Sequence, residues 1–297
     1  MYRVSFNNTY DRLLQQINNG KYHIDRLTDD ISSGRKIHTL SDDPVALNDS
    51  LSIKRSLSSI EQFKKNIGFA KDWLAETETV LTQMNNGLTR GRELAVQMAN
   101  VTETAETREA AAEEVDQIIR HLVAMGNTTL NNRYILSGQL TSTAPYTITE
   151  SGGLVTAVTY HGDGNHFSIP TNFDSNTEVN IAGSDIPGSD VFNSLINLRT
   201  ALSNNQPDQV PTQIGNLDTA LQKVNTQIGK VGSRMNSLEA KESALESIGI
   251  DKQTLLSDTF DTDIASAISD LNKYQTAFEA SLKLLSTVKD LNIMNYI

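Results

Sequence analysis

Three side chains in one short stretch, His161, Asp163 and His166, are of the types that hold metal ions. Zinc sites recruit three or four protein ligands at recurring spacings, and no further donor follows these three at such a spacing. Gly162-Asp163-Gly164-Asn165 is turn chemistry, so the stretch reads as a hairpin turn flanked by exposed histidines. Glu113-Glu114 could serve as a general acid and base, yet the pair sits in an otherwise amphipathic helical pattern and reads as a solvated face. His23, His38 and His121 are scattered, with no Ser or Asp at a telling distance. The 297 residues contain no cysteine, which removes thiol nucleophiles, disulfides and Cys-ligated zinc. The reading is of no catalytic, cofactor or metal site, and of a chain that is not an enzyme.

What remains is spacing. Tyr10, Ile17, Ile24 and Ile31 recur every seven residues, with Leu13, Gly20 and Leu27 as a second row. Near the other end Ile264, Leu271, Phe278 and Leu285 recur every seven, with Ile268 and Leu282 beside them. Apolar heptads place each set on one helix face and make that face a coiled-coil seam. Ile17, Ile24, Leu27, Ile31, Ile264, Ile268, Leu271, Phe278, Leu282 and Leu285 are therefore the candidate assembly seam. Ordering two such arms costs about 1–2 kcal/mol per residue in backbone entropy, and a two-helix strip leaves one face wet. The arms are expected to gain order from neighbouring copies.

Composition limits the partners. The formal charge is −11 and no basic cluster exceeds Lys64-Lys65, which argues against nucleic acid. No apolar run approaches the roughly 18 residues of a membrane helix, so no membrane partner is expected. The start lacks a basic region followed by an apolar run, so no cleaved signal peptide is expected.

Between the arms the pattern predicts further helices. The first arm runs from about Asn8 to Ser33, with Gly34 as a left-handed cap. Asp43-Pro44 reads as an N-cap followed by proline at the first helical position; with Ser41 and Asp42 it forms the candidate connector motif. A long helix from Pro44 to about Ala99 carries Ile53, Ile60, Ile67, Leu74, Leu81, Leu88 and Ala95 at strict seven-residue spacing. A third, about Ala105 to Leu130, returns as a hairpin. From about Asn131 to Gly188 the chain is rich in Thr, Ser, Gly and Asn. Leu154–Tyr160 is a predicted strand, and Phe167–Ile169 and Val179–Ile181 alternate in period two. Helix returns near Asp190, and after Pro207 and Pro211 comes a row of Leu217, Val224, Val231, Leu238 and Leu245. The fold class is mainly α with a small β-rich insert: a discontinuous long-helix bundle with paired terminal helices and the insert at its far end. The expected domains are 1–40 with 260–297, 41–140 with 190–259, and 141–189.

Ordered motifs then carry a resemblance. Ser32-Ser33-Gly34-Arg35-Lys36-Ile37 with Ser41-Asp42-Asp43-Pro44-Val45-Ala46 resembles the N-terminal signature of flagellin-like axial proteins of bacteria. The Ser-Asp-Asp-Pro form is similar to the hook–filament junction, or FlgL, branch. Arg92–Gln97, Asn132–Gly138, Val231–Glu239 and Tyr160–Gly164 fit the same pattern. The end, Leu291–Ile297, is similar to that branch and lacks the terminal Arg common in flagellins. The resemblance implies a structural, self-assembling part of the bacterial flagellum. Its copies would form a ring between the hook-associated protein FlgK and the flagellin filament. It implies a secreted, extracellular location, reached by type III export of the unfolded chain, and an export chaperone on the C-terminal helix. The terminal helices would form an inner tube and the insert the outer surface. A minor flagellin is the nearer alternative; a cytoplasmic coiled-coil scaffold or an axial protein with an inserted lytic enzyme are the others.

Overall fold

The computed structural model describes residues 2–39, 41–185 and 188–290. Among them run α1 (Tyr2–Ser33), α2 (Pro44–Met98), α3 (Ala105–Gly126), β1 (Thr129–Leu130), β2 (Arg133–Tyr134), β3 (Tyr146–Ser151), β4 (Leu154–Tyr160), β5 (Ser168–Asn172), β6 (Ser175–Glu178), α4 (Gly188–Ser203), α5 (Val210–Phe260) and α6 (Ile264–Asp290). A one-turn 3-10 helix, Pro207–Gln209, leads into α5. The described residues are mainly helical, with six strands in three antiparallel two-stranded hairpins. It forms two compact units, Met1–Ser58 with Ile248–Ile297, and Ser59–Ser247.

The second unit holds the main core. Ile67, Leu74, Leu81 and Leu88 of α2 are fully enclosed, as are Leu217, Val224, Val231 and Leu238 of α5. Val115, Ile119 and Leu122 of α3 and Leu195, Leu198 and Leu202 of α4 complete the interior. Heptad spacing thus becomes a buried stripe on both long helices. Close approach explains one glycine: a Cβ on Gly87 would stand 2.8 Å from a Leu122 methyl, so α2 and α3 meet at closer range there than alanine allows.

Three elements differ from the sequence expectation. α3 stops at Gly126 rather than Leu130. The β-branched pair Thr128-Thr129 and the two asparagines Asn131 and Asn132, at φ 50° and 63°, favour a tight hairpin turn over helix. Val179 and Ile181 are buried but lie beyond β6, which ends at Glu178. Tyr146–Ser151 is a strand that periodicity missed; it pairs with β4 through a turn in which Gly152 and Gly153 take φ 60° and 83°.

The insert does not lie at the end of the bundle. β5–β6 lies beside the middle of the long helices: Asn66 Nδ2 donates to the Pro170 carbonyl at 2.8 Å, and Lys241 Nζ donates to the Thr177 hydroxyl at 2.8 Å. The Phe167 ring meets Trp73 edge-on at 5.3 Å. The physical reason is length. α3 has 22 residues against 55 in α2, so at about 1.5 Å per residue it returns the chain partway along its partner. The end of this unit is the α2–α3 turn. Buried Arg108 closes it, donating to the Met98 carbonyl at 3.2 Å, the Asn100 carbonyl at 2.9 Å and Asn205 Oδ1 at 2.7 Å. A cation among the last carbonyls of α2 complements that helix's negative end.

Candidate assembly face and its connectors

In the first unit α1 and α6 pair along their length. Ile17, Ile24, Leu27 and Ile31 are half-buried, and so are Leu271, Phe278 and Leu285. Ile264, Ile268 and Leu282 stand outside this pairing, exposed by 50, 45 and 44%. The covered positions of α6, Ala267, Leu271, Phe278, Ser281 and Leu285, with Tyr274 among them, follow an alternating four-and-three spacing. Phe278 lies against Gly20, and Tyr274 stacks on His23 with ring centroids 4.7 Å apart. Tyr274 lies in the a/d register of α6, whereas His23 stands one place before Ile24 and outside that of α1, so the heptad period does not mark the pair.

The connectors between arms and long helices are bound to each other. Gly34, at φ 69°, ends α1, a conformation that costs glycine little. The Thr262 N–H then donates to the Gly34 carbonyl, and the Lys36 N–H to the Phe260 carbonyl, both at 3.0 Å, so that Arg35 and Asp261 form an antiparallel bridge. Lys36 Nζ donates to the Asp258 carbonyl at 2.7 Å, near the C-terminal end of α5. Phe260 is 5% exposed and packs with Ile37, Ile53 and Leu256. Its ring carries two cations, Lys54 at 4.6 Å and Arg35 at 5.6 Å from the centroid, the geometry of cation–π attraction.

Each helix after a connector begins on an aspartate. Asp43 Oδ1 accepts from the N–H groups of Val45 and Ala46 at 3.0 and 2.9 Å, with Pro44 as the first residue of α2. Asp263 Oδ1 does the same for α6, accepting from Ala265 and Ser266 at 3.0 and 3.2 Å. These satisfy helix donors that lack intrahelical partners. Asp42 has a different task. Its Oδ2 accepts from the Thr39 N–H at 2.9 Å and the His38 N–H at 3.1 Å, folding the connector into a clip, while Ser41 sits exposed in the turn. The Thr39 N–H, then that of His38, holds the Asp42 carboxyl below its ordinary range. A lowered folded-state value means the clip is present at neutral pH and is lost as pH falls through that value. His38 Nε2 meets Asp30 Oδ1 at 2.7 Å, tying the connector back to α1.

The remaining motifs are ties within the second unit. The Tyr160 hydroxyl lies 3.0 Å from the carbonyls of Leu136 and Asp163 and accepts from the Gly183 N–H at 3.1 Å. Asp163 Oδ1 accepts from the Gln139 N–H at 2.6 Å, and Gly138, at φ 73°, leaves that carboxylate the room a Cβ would fill. Asp163 thus staples the loop; His161 contacts Thr147 at 2.7 Å and His166 faces Asp185 at 3.4 Å. Among the described residues no three His, Cys, Asp or Glu side chains converge as a metal site. Arg234 donates to the Asn180 carbonyl and to Glu178, and Arg92 pairs with Asp218. Leu291–Ile297 lies outside the described residues.

Comparison with known proteins follows the same outline. The bacterial flagellin N-terminal helical region matches residues 4–141, and the bacterial flagellin C-terminal helical region matches residues 214–297. Flagellar hook-associated protein 3 of Escherichia coli is 24% identical over 98% of each chain. The flagellar filament 30.7 kDa core protein of Treponema maltophilum is 28% identical over 86% of this chain and 85% of its own. The crystal structure of Bacillus cereus FlgL, 27% identical, covers 69% of this chain and 99% of its own with a TM-score of 0.60. With flagellin helical regions matched at both ends and the hook-associated likeness running end to end, the chain belongs to the flagellin family of bacterial flagellar proteins, on its hook-associated, FlgL-like branch.

Proposed function

We propose that this chain is the structural subunit of the hook–filament junction, assembled as a ring of identical copies. FlgK would sit on the hook side and flagellin on the filament side. The observation that carries assembly is an uncovered apolar set on α6: Ile264, Ile268 and Leu282 are about half exposed in the single chain, and covering the rest of each would contribute about half of the 1.5–3 kcal/mol of a fully buried side chain. The seam would line the inner layer, formed by residues 1–40 with 260–297. Residues 41–140 with 190–259 would form the bundle layer and 141–189 the surface. The paired connectors, with the Ser41–Pro44 turn, would set the angle between inner and bundle layers. Export through the flagellar channel as an unfolded chain, with a chaperone on the C-terminal helix, completes the reading. The role is structural rather than catalytic.

Gene deletion tests it. A junction subunit predicts motile cells turned non-motile, with flagellin monomers released into the medium and hooks left intact. Filaments of normal length that are merely thinner or fewer would make the chain a minor filament subunit instead.

A further inference from the structure

The sequence contains the tripeptide Asn-Asn-Gly twice, at Asn18-Asn19-Gly20 and Asn85-Asn86-Gly87, and these hold its only two Asn-Gly bonds. Both lie inside helices, α1 and α2, and both Asn19 and Asn86 are exposed. Their anchorage differs. Around Asn86, Leu81, Met84 and Leu88 are at most 1% exposed, Gly87 abuts Leu122, and Asn85 Nδ2 donates to Asn225 Oδ1 at 2.7 Å. Around Asn19, Ile17, Gly20 and Ile24 are only half-buried. A Cβ on Gly20 would stand 3.6 Å from Phe278, an ordinary contact. The pairing with α6 therefore does not require glycine at this point, although a mid-helix glycine costs about 0.5–1 kcal/mol relative to alanine.

We propose that Asn19–Gly20 is a self-modifying site that ages the unassembled chain. When α1 opens locally, the Gly20 main-chain nitrogen attacks the Asn19 side-chain carbonyl carbon. A C–N bond forms to give a succinimide, the bond to Nδ2 breaks, and ammonia leaves with the nitrogen's proton. Water then opens the ring to aspartate or isoaspartate. In the closed helix this attack is blocked, because the Gly20 N–H is engaged with the carbonyl four residues earlier and its direction is fixed. The rate therefore follows the opening free energy of the segment. The product places a carboxylate on α1 where it faces Tyr274 and Phe278. In isoaspartate the main chain is also one carbon longer, which breaks the register of the seam. A copy that waits unassembled loses its ability to pair, whereas Asn86–Gly87 stays intact in the same molecule.

The test incubates purified full-length protein at neutral pH and follows both asparagines by peptide mass spectrometry. The same measurement in denaturant gives each site's unprotected rate. Expected is a protection factor at Asn86 at least ten times that at Asn19, and a further rise of Asn19 conversion in Phe278→Ala with Asn86 unchanged. Equal protection at the two sites, or no response of Asn19 to Phe278→Ala, would overturn the proposal. Gly20→Ala, which the 3.6 Å spacing accommodates, should slow conversion at Asn19 sharply without loss of helix content, since the methyl group hinders the attack and alanine favours the helix; an unchanged rate there would overturn it too.

Discussion

Two heptad rows of the same period meet different fates in this chain. Leu217, Val224, Val231, Leu238 and Leu245 of α5 are at most 1% exposed, because α2 and the elements packed around it leave no side of that row open. Leu271, Phe278 and Leu285 of α6 have one partner helix and stay half-buried, and Ile264 is half-exposed. Spacing specifies a helix and the direction of its apolar face. It does not specify how many neighbours cover that face. A row with one neighbour is an unfinished core, and the family's role in an axial assembly gives it a way to be finished.

The sharpest way to break this contrast is at the centre of the second unit. Asp116 is 3% exposed and accepts from Arg120 Nε at 2.8 Å, the Val155 N–H at 2.9 Å and Arg199 at 3.3 Å. Arg199 is itself 6% exposed. Asp116→Ala should leave that guanidinium without its carboxylate and cost about 3–5 kcal/mol. Denaturant melting followed by circular dichroism would measure it. Leu122→Ala comes next, at about 2–5 kcal/mol for a fully buried leucine. Gly87→Ala should cost about 1–3 kcal/mol by overpacking, and most of that cost should vanish in the Leu122→Ala background. A double-mutant cycle with no coupling would mean that the close approach of α2 and α3 relaxes elsewhere.

These costs explain what was legible beforehand. The buried rows of α2 and α5 and the strand Leu154–Tyr160 follow from period and β-branching alone. So do Gly34 as a cap and Asp43-Pro44 as a helix start. Ile268 and Leu282, fourteen residues apart, could not be sorted from Leu271 and Phe278, because both sets satisfy the same seven-residue repeat, and Ile264 shares the row of Leu271 yet ends exposed. Only the position of α1 decides which faces inward. The clamp on Phe260 was hidden for a different reason: Arg35, Lys54 and Phe260 are far apart in sequence, and nothing local marks them as one cluster. The placement of the β hairpins depended on where α3 stopped, and that was set by Asn131 and Asn132 adopting positive φ rather than by hydrophobic period.

On the other side of the contrast, Phe278→Ala should cost the isolated chain less than the 3–5 kcal/mol of a fully buried phenylalanine, since the side chain is only partly covered. The loss should fall on the local α1–α6 pairing, with little shift in the melting of the second unit. Its effect on filament retention should be larger than its effect on the monomer. If the monomer's main transition falls as far as with Leu122→Ala, the two regions are one cooperative block and the contrast is lost.

The smallest effect is the most diagnostic. Asp43 and Thr104 each begin a helix with a side-chain oxygen: Asp43 Oδ1 accepts from Val45 and Ala46 N–H groups, and Thr104 Oγ1 accepts from the Thr107 N–H at 3.2 Å. Either cap should contribute about 0.5–2 kcal/mol. They differ in what surrounds them. Thr104 opens α3 at the far turn of the second unit, where Arg108 already fixes the chain. Asp43 stands next to the Asp42 clip, in the connector that Arg35 and Lys36 bind to Asp261 and Phe260. Asp43→Ala should therefore loosen the angle at which α2 leaves the connector, as well as its first turn. With melting matched between Asp43→Ala and Thr104→Ala, filament retention should fall only for Asp43→Ala. Equal retention at equal destabilisation would reduce Asp43 to a cap, and the angle-setting role would then have to rest on the Phe260 clamp alone.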